Sequence, residues 1–488
     1  MQANRKQEPN VVSNSNTVAC TKQPDSVCRV TERSLHRRNF MRQAVAVSAL
    51  TQVGIGTLRS ANGSFLPIDK AEIELPRLRV PASFIIDDST CLVNMGRFCM
   101  PQFAAALPER KDYQKPWRQW PSEIPDAFVR EFGLWCAEYQ VRGKYSIVPY
   151  PACVGWLDRS LPGWSQRAMR ESLKLVRELM VPNWDIHPEM ITHTRVIDLK
   201  TGRPMPEINA GTMENSYPQV HKSVDHLAAY LAYALKILQN CELPCEGITT
   251  PGGFGNRVKK ELALAVHQAV RAVYGTELPH YFKYVMAGEA STVPRLENLD
   301  EAQQDLSRLV VNVPAGTGDW FGGWDGDRTP EPDRYANREA TSGRMVELIE
   351  RKEPAVMLCH WPGLYSQGTK AGFRAFQQVV RALNERFRDQ ILWMKISDLA
   401  KYYAAKELTQ VELNGRKIKL VAPFATKQLT LRVQTKIMTP PLVKFQDRQQ
   451  VLSETKSVAA LKSGRFLVEA DSLVLCFDLE KGTTYVTL

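Results

Sequence analysis

From about residue 80 to 406 the chain alternates short apolar runs with longer stretches in which apolar positions recur every three to four residues. The short runs fall at 84–86, 145–148, 184–186, 247–250, 281–285, 309–313, 355–359 and 391–394. Largely apolar runs of this length predict strands buried on both faces, as in parallel sheets. The longer stretches, at 127–141, 166–180, 223–240, 257–273, 345–351, 372–387 and 397–405, predict amphipathic helices, the last with Ser397 as its N-cap. Repeated strand–helix alternation predicts an α/β fold of parallel strands with crossover helices. Seven or eight strands favour a (β/α) barrel of seven strands over an open doubly wound sheet. No GxGxxG follows the first strand, so a dinucleotide fold gains no support.

After residue 407 the pattern changes to strands at 411–413, 418–421, 428–433, 465–468, 473–477 and 484–488 with little helical pattern between them. This predicts a small C-terminal antiparallel β domain over 407–488, either a sandwich packed on a barrel domain over 80–406 or a carbohydrate-facing module. Residues 1–62 read as a polar leader. Its Arg37-Arg38-Asn39-Phe40 precedes a modest apolar stretch over 44–57 that is too short and polar for a membrane span. That arrangement resembles a twin-arginine export signal and predicts a periplasmic or extracellular protein with no transmembrane span in the mature chain.

Charge changes the picture little. The net charge is +11, and the leader, with nine basic and three acidic residues, accounts for +6 of it. No dense basic stripe with interleaved aromatics remains, which argues against nucleic-acid binding. Eight cysteines lie outside the leader without CxxC spacing, so a structural zinc cluster is not expected. Cys241 and Cys245 could pair in an oxidising compartment, free thiols being the default for the rest.

Candidate chemistry clusters at predicted strand ends, where barrels carry their active sites. The first strand runs into Asp87-Asp88, two adjacent carboxylates that repel unless a cation, a proton or a substrate divides their roles. The third runs into His187-Pro188-Glu189 and on to His193, the fourth into Pro251-Gly252-Gly253, the sixth into Asp319-Trp320, and the seventh into Cys359-His360-Trp361. Three of only eight histidines fall at or just beyond strand ends.

In that order these motifs resemble the polysaccharide deacetylase (NodB-homology) family over roughly residues 80–400. The resemblance implies a hydrolase that removes N- or O-linked acetyl groups from a polysaccharide with a divalent metal, zinc by expectation. Asp88, His187 and His193 would hold the metal. Asp87 would be the general base, His360 the general acid, and Asp319 the residue that orients the acid. Trp320, Trp361, Tyr365, Pro251 and Gly252 would contact substrate.

Two departures from the family pattern set specific expectations. Its paired histidines are four apart, whereas His187 and His193 are six apart, about 240° of rotation on a helix. A turn begun at His187-Pro188 would let both reach one ion; otherwise Glu189 or water replaces one of them. The family's third motif carries an arginine that pairs with the base, and Thr249 stands there instead. Asp87 would then be oriented by Thr249, Thr250, backbone groups or Arg195. His221, His226 and His267 read as surface or packing groups, and His280 could line either end of the barrel. Glu214-Asn215 and the loop through Trp324, Asp325 and Asp327 read as solvated turns. The rival readings are a non-catalytic carbohydrate-binding or cell-envelope protein on a degenerate deacetylase barrel, and a glycoside hydrolase with paired carboxylates.

Overall fold

The strand that opens the alternation is longer than its apolar core indicates. In the computed structural model, which describes residues 68–299, 305–435 and 439–488, it extends from Val80 through Asp87, every residue buried. Besides a two-residue antiparallel pair at Ile197–Asp198 and Arg203–Pro204, in chain order the strands of this part are β1 (Lys70–Ile73), β2 (Val80–Asp87), β3 (Gly143–Ile147), β4 (Trp184–Pro188), β5 (Gly247–Thr249), β6 (His280–Phe282), β7 (Arg295–Glu297), β8 (Val310–Asn312), β9 (Ala355–His360) and β10 (Ile391–Trp393). The helices are α1 (Met95–Ala106), α2 (Asp126–Glu138), α3 (Gln166–Leu175), α4 (Val224–Asn240), α5 (Lys259–Tyr274), α6 (Arg344–Glu350), α7 (Trp361–Tyr365), α8 (Ala371–Arg386) and α9 (Ile396–Leu408). The fold is mixed α/β.

Two sheets carry the parallel strands. One runs β9-β2-β3-β4, all parallel, with β10 also pairing the start of β2. The other runs β5-β6-β8, with the unforeseen β7 antiparallel at its edge. A parallel bridge between Glu189 and Thr249 links the sheets on one side. On the other, Gly316 N donates to Val356 O at 2.8 Å and Leu358 N to Thr317 Oγ1 at 3.0 Å.

Side chains alternate between two buried environments, which is why the strands read as apolar runs rather than alternating ones. Phe84, Ile86, Tyr145, Trp184 and Ile186 face a large core shared with Phe128 and Phe132 of α2 and Phe373 and Phe376 of α8. Ile85, Phe282, Val311, Val356 and Leu358 join a second core closed by Ile396, Leu399 and Tyr403 of α9. The register partners Ile85↔Lys144 and Ser146↔His187 set polar residues on that same inner face.

One helix lay outside the sequence pattern and one expected cap is not made, each for an identifiable reason. Helix α1 contains Pro101, a residue that ordinarily argues against a helix interior, and begins beside Gly96. An added Cβ at Gly96 would meet Asp325 O at 2.8 Å, so glycine is needed for that close approach. Ser397 is not an N-cap, because α9 starts at Ile396. Its amide and hydroxyl bind the Asp185 carboxylate at 2.7 and 2.8 Å instead.

The described residues form one compact unit. Its C-terminal part consists of two five-stranded, mostly antiparallel sheets sharing a core of Ile418, Leu420, Leu431, Leu475, Phe477 and Val486. One sheet recruits β1, which pairs antiparallel with Thr426–Gln434. The strands Leu442–Phe445 and Arg448–Val451 escaped the sequence pattern, the latter because all four of its residues are exposed. The leader with Arg37 and Arg38 lies outside the described residues. Cys241 and Cys245 are buried free thiols, so the pairing allowed by their spacing is not made. No helix among the described residues is long and apolar enough to cross a membrane.

Candidate active site

Parallel pairing places the carboxyl ends of the strands on one rim, and the polar cluster sits there. Asp88 follows β2 at φ +57°, a left-handed conformation that turns its side chain out of the strand's alternation. Its amide donates to Glu189 Oε2 at 2.7 Å, tying the end of β2 to the segment after β4. His193 Nε2 lies 2.7 Å from Asp88 Oδ1 and 3.2 Å from Glu189 Oε1. One donor atom from each of Asp88, Glu189 and His193 lies within 4.8 Å of the others, and all three residues are buried. Apart from this contact with His193, neither Asp88 oxygen accepts a hydrogen bond among the described residues.

A buried carboxylate without hydrogen bonds is costly unless a cation faces it. Oxygen and imidazole donors converging on one point fit a divalent metal. Without a metal, His193 takes the cationic role. Burial disfavours its charged form, but Asp88 and Glu189 outweigh that and raise its pKa well above the ordinary value.

His187 does not join this cluster. Its Nε2 lies 2.9 Å from His280 Nε2 and its Nδ1 lies 3.3 Å from Thr249 Oγ1, all in the buried interior. Burial and then the neighbouring His280 hold its pKa well below the usual value, and burial brings His280 down to about 4. The expectation that two imidazoles and one carboxylate hold the ion is thereby corrected. His187 continues the alternation of β4 toward the inner face, whereas Glu189 reaches the rim. The spacing of four belongs to Glu189 and His193, in line with the alternative raised on the sequence that Glu189 replaces one of the imidazoles.

The base candidate is held by a residue that sequence reasoning missed. Lys144 of β3, wholly buried, forms an ion pair with Asp87 and also donates to Ser146 Oγ at 2.8 Å and Ile86 O at 3.2 Å. Ser146 Oγ is itself 3.3 Å from Asp87 Oδ1. The group that orients Asp87 therefore arrives as a cation from the adjacent strand, and not from Thr249, Thr250 or Arg195. Arg195 points instead to the carbonyls of Met205 and Glu207. A lysine in β3 gave no motif, because its partner is set by register and not by proximity in sequence. Burial, and next the Glu189 carboxylate, push the Asp87 carboxyl up, while Lys144 and His360 pull it down.

His360 ends β9 as the register partner of Asp87. Its Nδ1 lies 2.7 Å from Asp319 Oδ2, which also accepts the His360 amide at 3.2 Å. Asp319 Oδ1 accepts the Phe321 amide at 2.9 Å, and the Tyr335 hydroxyl anchors the same loop by accepting the Trp320 amide at 2.8 Å. Burial disfavours the imidazolium, but the Asp319 hydrogen bond, with help from the Asp88 and Asp87 charges, raises His360 to about 9. The His360 side chain remains partly exposed.

The expected substrate contacts divide. Trp320 is half-buried with the Arg334 guanidinium 4.3 Å above its ring. Trp361 is fully buried and packs on Phe128, Phe132 and Tyr145 in the larger core. It cannot touch a substrate, and its expected role is corrected to core packing. Tyr365 packs on Phe128 in that same cluster. Pro251 is buried and Gly252 exposed at φ +43°, in a turn whose Gly253 amide donates to Asn215 O at 2.7 Å. Phe103, Tyr113 and Trp324 form an aromatic group beside His193 that the motifs did not indicate. Glu214 and Asp325, expected in solvated turns, are buried, the latter paired with Lys115 at 2.5 Å.

No family model and no curated protein matches the chain. Among solved structures it is similar to a probable polysaccharide deacetylase from Pseudomonas aeruginosa PAO1, at 10% identity and a TM-score of 0.35, covering 68% of this chain and 92% of that one. It is also similar to a BA3943 mutant described as a CE4 family pseudoenzyme with restored enzymatic activity, at 12% identity and a TM-score of 0.26, covering 66% and 68%. An alpha-fucosidase from Thermotoga maritima in complex with fucose is similar at 10% identity and a TM-score of 0.26, covering 85% and 97%.

Proposed function

We propose that the chain is an exported, metal-dependent hydrolase that removes N- or O-linked acetyl groups from a polysaccharide. The observation that carries this reading is the buried convergence of Asp88, Glu189 and His193 beside a lysine-held Asp87 and an aspartate-held His360. The strand-end motifs that resemble polysaccharide deacetylases support the substrate class, and the Arg37-Arg38 leader supports export. In this reading β2, β3, β4, β5, β6, β8 and β9 form the seven strands of a (β/α) barrel. The Glu189–Thr249 bridge and the Gly316–Val356 hydrogen bond support its closure.

Asp88, Glu189 and His193 would hold the ion. One imidazole and two carboxylates accept zinc and also admit harder ions such as manganese. A bound divalent cation supplies Lewis-acid polarisation of a carbonyl and eases deprotonation of a water. Asp87, kept in place by Lys144 and Ser146, takes that water's proton. His360 holds a proton on Nε2 at neutral pH and delivers it to the departing amine or alcohol, with Asp319 fixing the ring.

Acetate release from acetylated glucosamine and xylan oligomers, measured alongside metal content, tests this reading. The wild type should release acetate and carry about one ion per chain, and Asp88→Ala should lose both. A protein that retains glycans but holds no metal would instead support the non-catalytic alternative.

A further inference from the structure

The segment that brings His193 to Asp88 and Glu189 is neither helix nor strand. Met190 and His193 adopt φ +53° and +62°, and the intervening residues have no regular backbone pairing. Left-handed positions at non-glycine residues hold only where the surroundings over-determine them. The carbonyls of Ile191 and Thr192 accept the amides of Tyr150 at 2.8 Å and Ala152 at 3.0 Å, and on the amide side the surroundings are one carboxylate. Glu214 Oε1 accepts the Ile191 amide at 3.1 Å, and Oε2 accepts the amides of Thr192 at 3.0 Å and His193 at 2.6 Å. The Tyr230 hydroxyl of α4 donates to Oε1 at 2.5 Å and accepts the Ile197 amide at 3.2 Å. The Glu214 amide in turn donates to Thr194 O at 2.7 Å.

Glu214 is fully inaccessible and has no ion-pair partner among the described residues. An isolated buried charge is expensive, and it persists where several donors satisfy it. Four donors do so here, three of them consecutive backbone amides that would otherwise point into the interior unpaired. A helix holds ligands four residues apart through its own hydrogen bonds. Glu189 and His193 have that spacing without the helix, so another group must fix their relation.

We propose that Glu214 is the positioning residue of the metal site: its carboxylate gathers the amides of Ile191, Thr192 and His193 into the loop that presents the His193 imidazole to Asp88 and Glu189. This rests on the reading of that cluster as a metal site. Glutamine has nearly the same shape, but its amide group turns two donors toward donors. The loop then opens on that side, and His193 loses its aim. Supporting groups of this kind typically carry 10–100-fold in metal affinity.

The test titrates Zn2+ and Mn2+ into full-length wild type, Glu214→Gln and Tyr230→Phe against a chromogenic chelator, with melting temperatures measured on the metal-free proteins. Tyr230→Phe removes one donor and the link to Ile197 but leaves the three amides in place. It should lower the melting temperature while binding metal nearly as tightly as wild type. Glu214→Gln should weaken binding 10–100-fold in protein that remains folded. Should it not fold, Glu214→Asp, which keeps the charge but withdraws it by one methylene, takes its place with the same expectation. A folded Glu214 variant with wild-type affinity would overturn the proposal. So would affinity that falls in both variants in step with stability, since that describes a merely structural carboxylate. Wild-type protein that binds neither ion would instead overturn the metal-site reading itself.

Discussion

Asp87 and His360 are register partners on the adjacent parallel strands β2 and β9, so their side chains leave the same face of the sheet side by side. One is held by a buried lysine and the other by a buried aspartate. Two titratable groups with opposite supports can divide base and acid roles across a single reacting bond.

Lys144 is the support of Asp87, the proposed base. Lys144→Met keeps most of the volume but leaves Asp87 buried without its cation. Breaking a buried pair in this way costs about 3–5 kcal/mol. Urea unfolding should register that loss, and turnover should fall sharply, while metal content stays at the wild-type level because Lys144 touches none of Asp88, Glu189 or His193.

The acid side sets a pH dependence. His360 is raised from 6.5 to about 9, chiefly by its Asp319 hydrogen bond working against burial. A general acid must be protonated, so activity should hold through neutrality and fall as pH rises through about 9. The pair's contribution to stability has the same sign. It is fully present below the unfolded histidine value and is lost as pH passes the folded one. In Asp319→Asn the alkaline limb of the rate profile should move to lower pH.

Which residues grip the ion can be separated by two conservative changes. Glu189→Gln removes a carboxylate from the cluster and should reduce metal bound after dialysis, whereas His187→Gln alters a buried histidine pair and should leave it unchanged. Loss of metal in the His187 variant alone would restore the paired-imidazole arrangement.

Trp361 supplies a contrast between core and site. Removing a fully buried indole costs about 3–5 kcal/mol, so Trp361→Ala should unfold at markedly lower denaturant. Trp361→Phe, which keeps an aromatic group against Phe128 and Phe132, should retain substrate affinity, because no ligand reaches that side chain.

The alternation of short apolar runs and amphipathic stretches made the α/β organisation legible, since burial on both strand faces leaves runs such as Phe84-Ile85-Ile86. Adjacency in sequence likewise exposed Asp87-Asp88, Asp319-Trp320 and His360. What stayed hidden depends on register and on loop geometry. Lys144 meets Asp87 only because β3 pairs with β2, and Glu214 reaches the His193 loop through an irregular connection. Helix α1 was concealed by Pro101, and Trp361 looked like a site residue because it follows His360, although the chain turns it into the core.

The proposed hydrolysis depends on one cation held jointly by Asp88, Glu189 and His193. Anomalous scattering from crystals grown with Mn2+ tests it directly. A single strong peak about 2.0–2.2 Å from an oxygen of each carboxylate and from a nitrogen of His193 is the predicted result. A peak between His187 and His280, or none near Asp88 in crystals whose loop matches the geometry described, would contradict it.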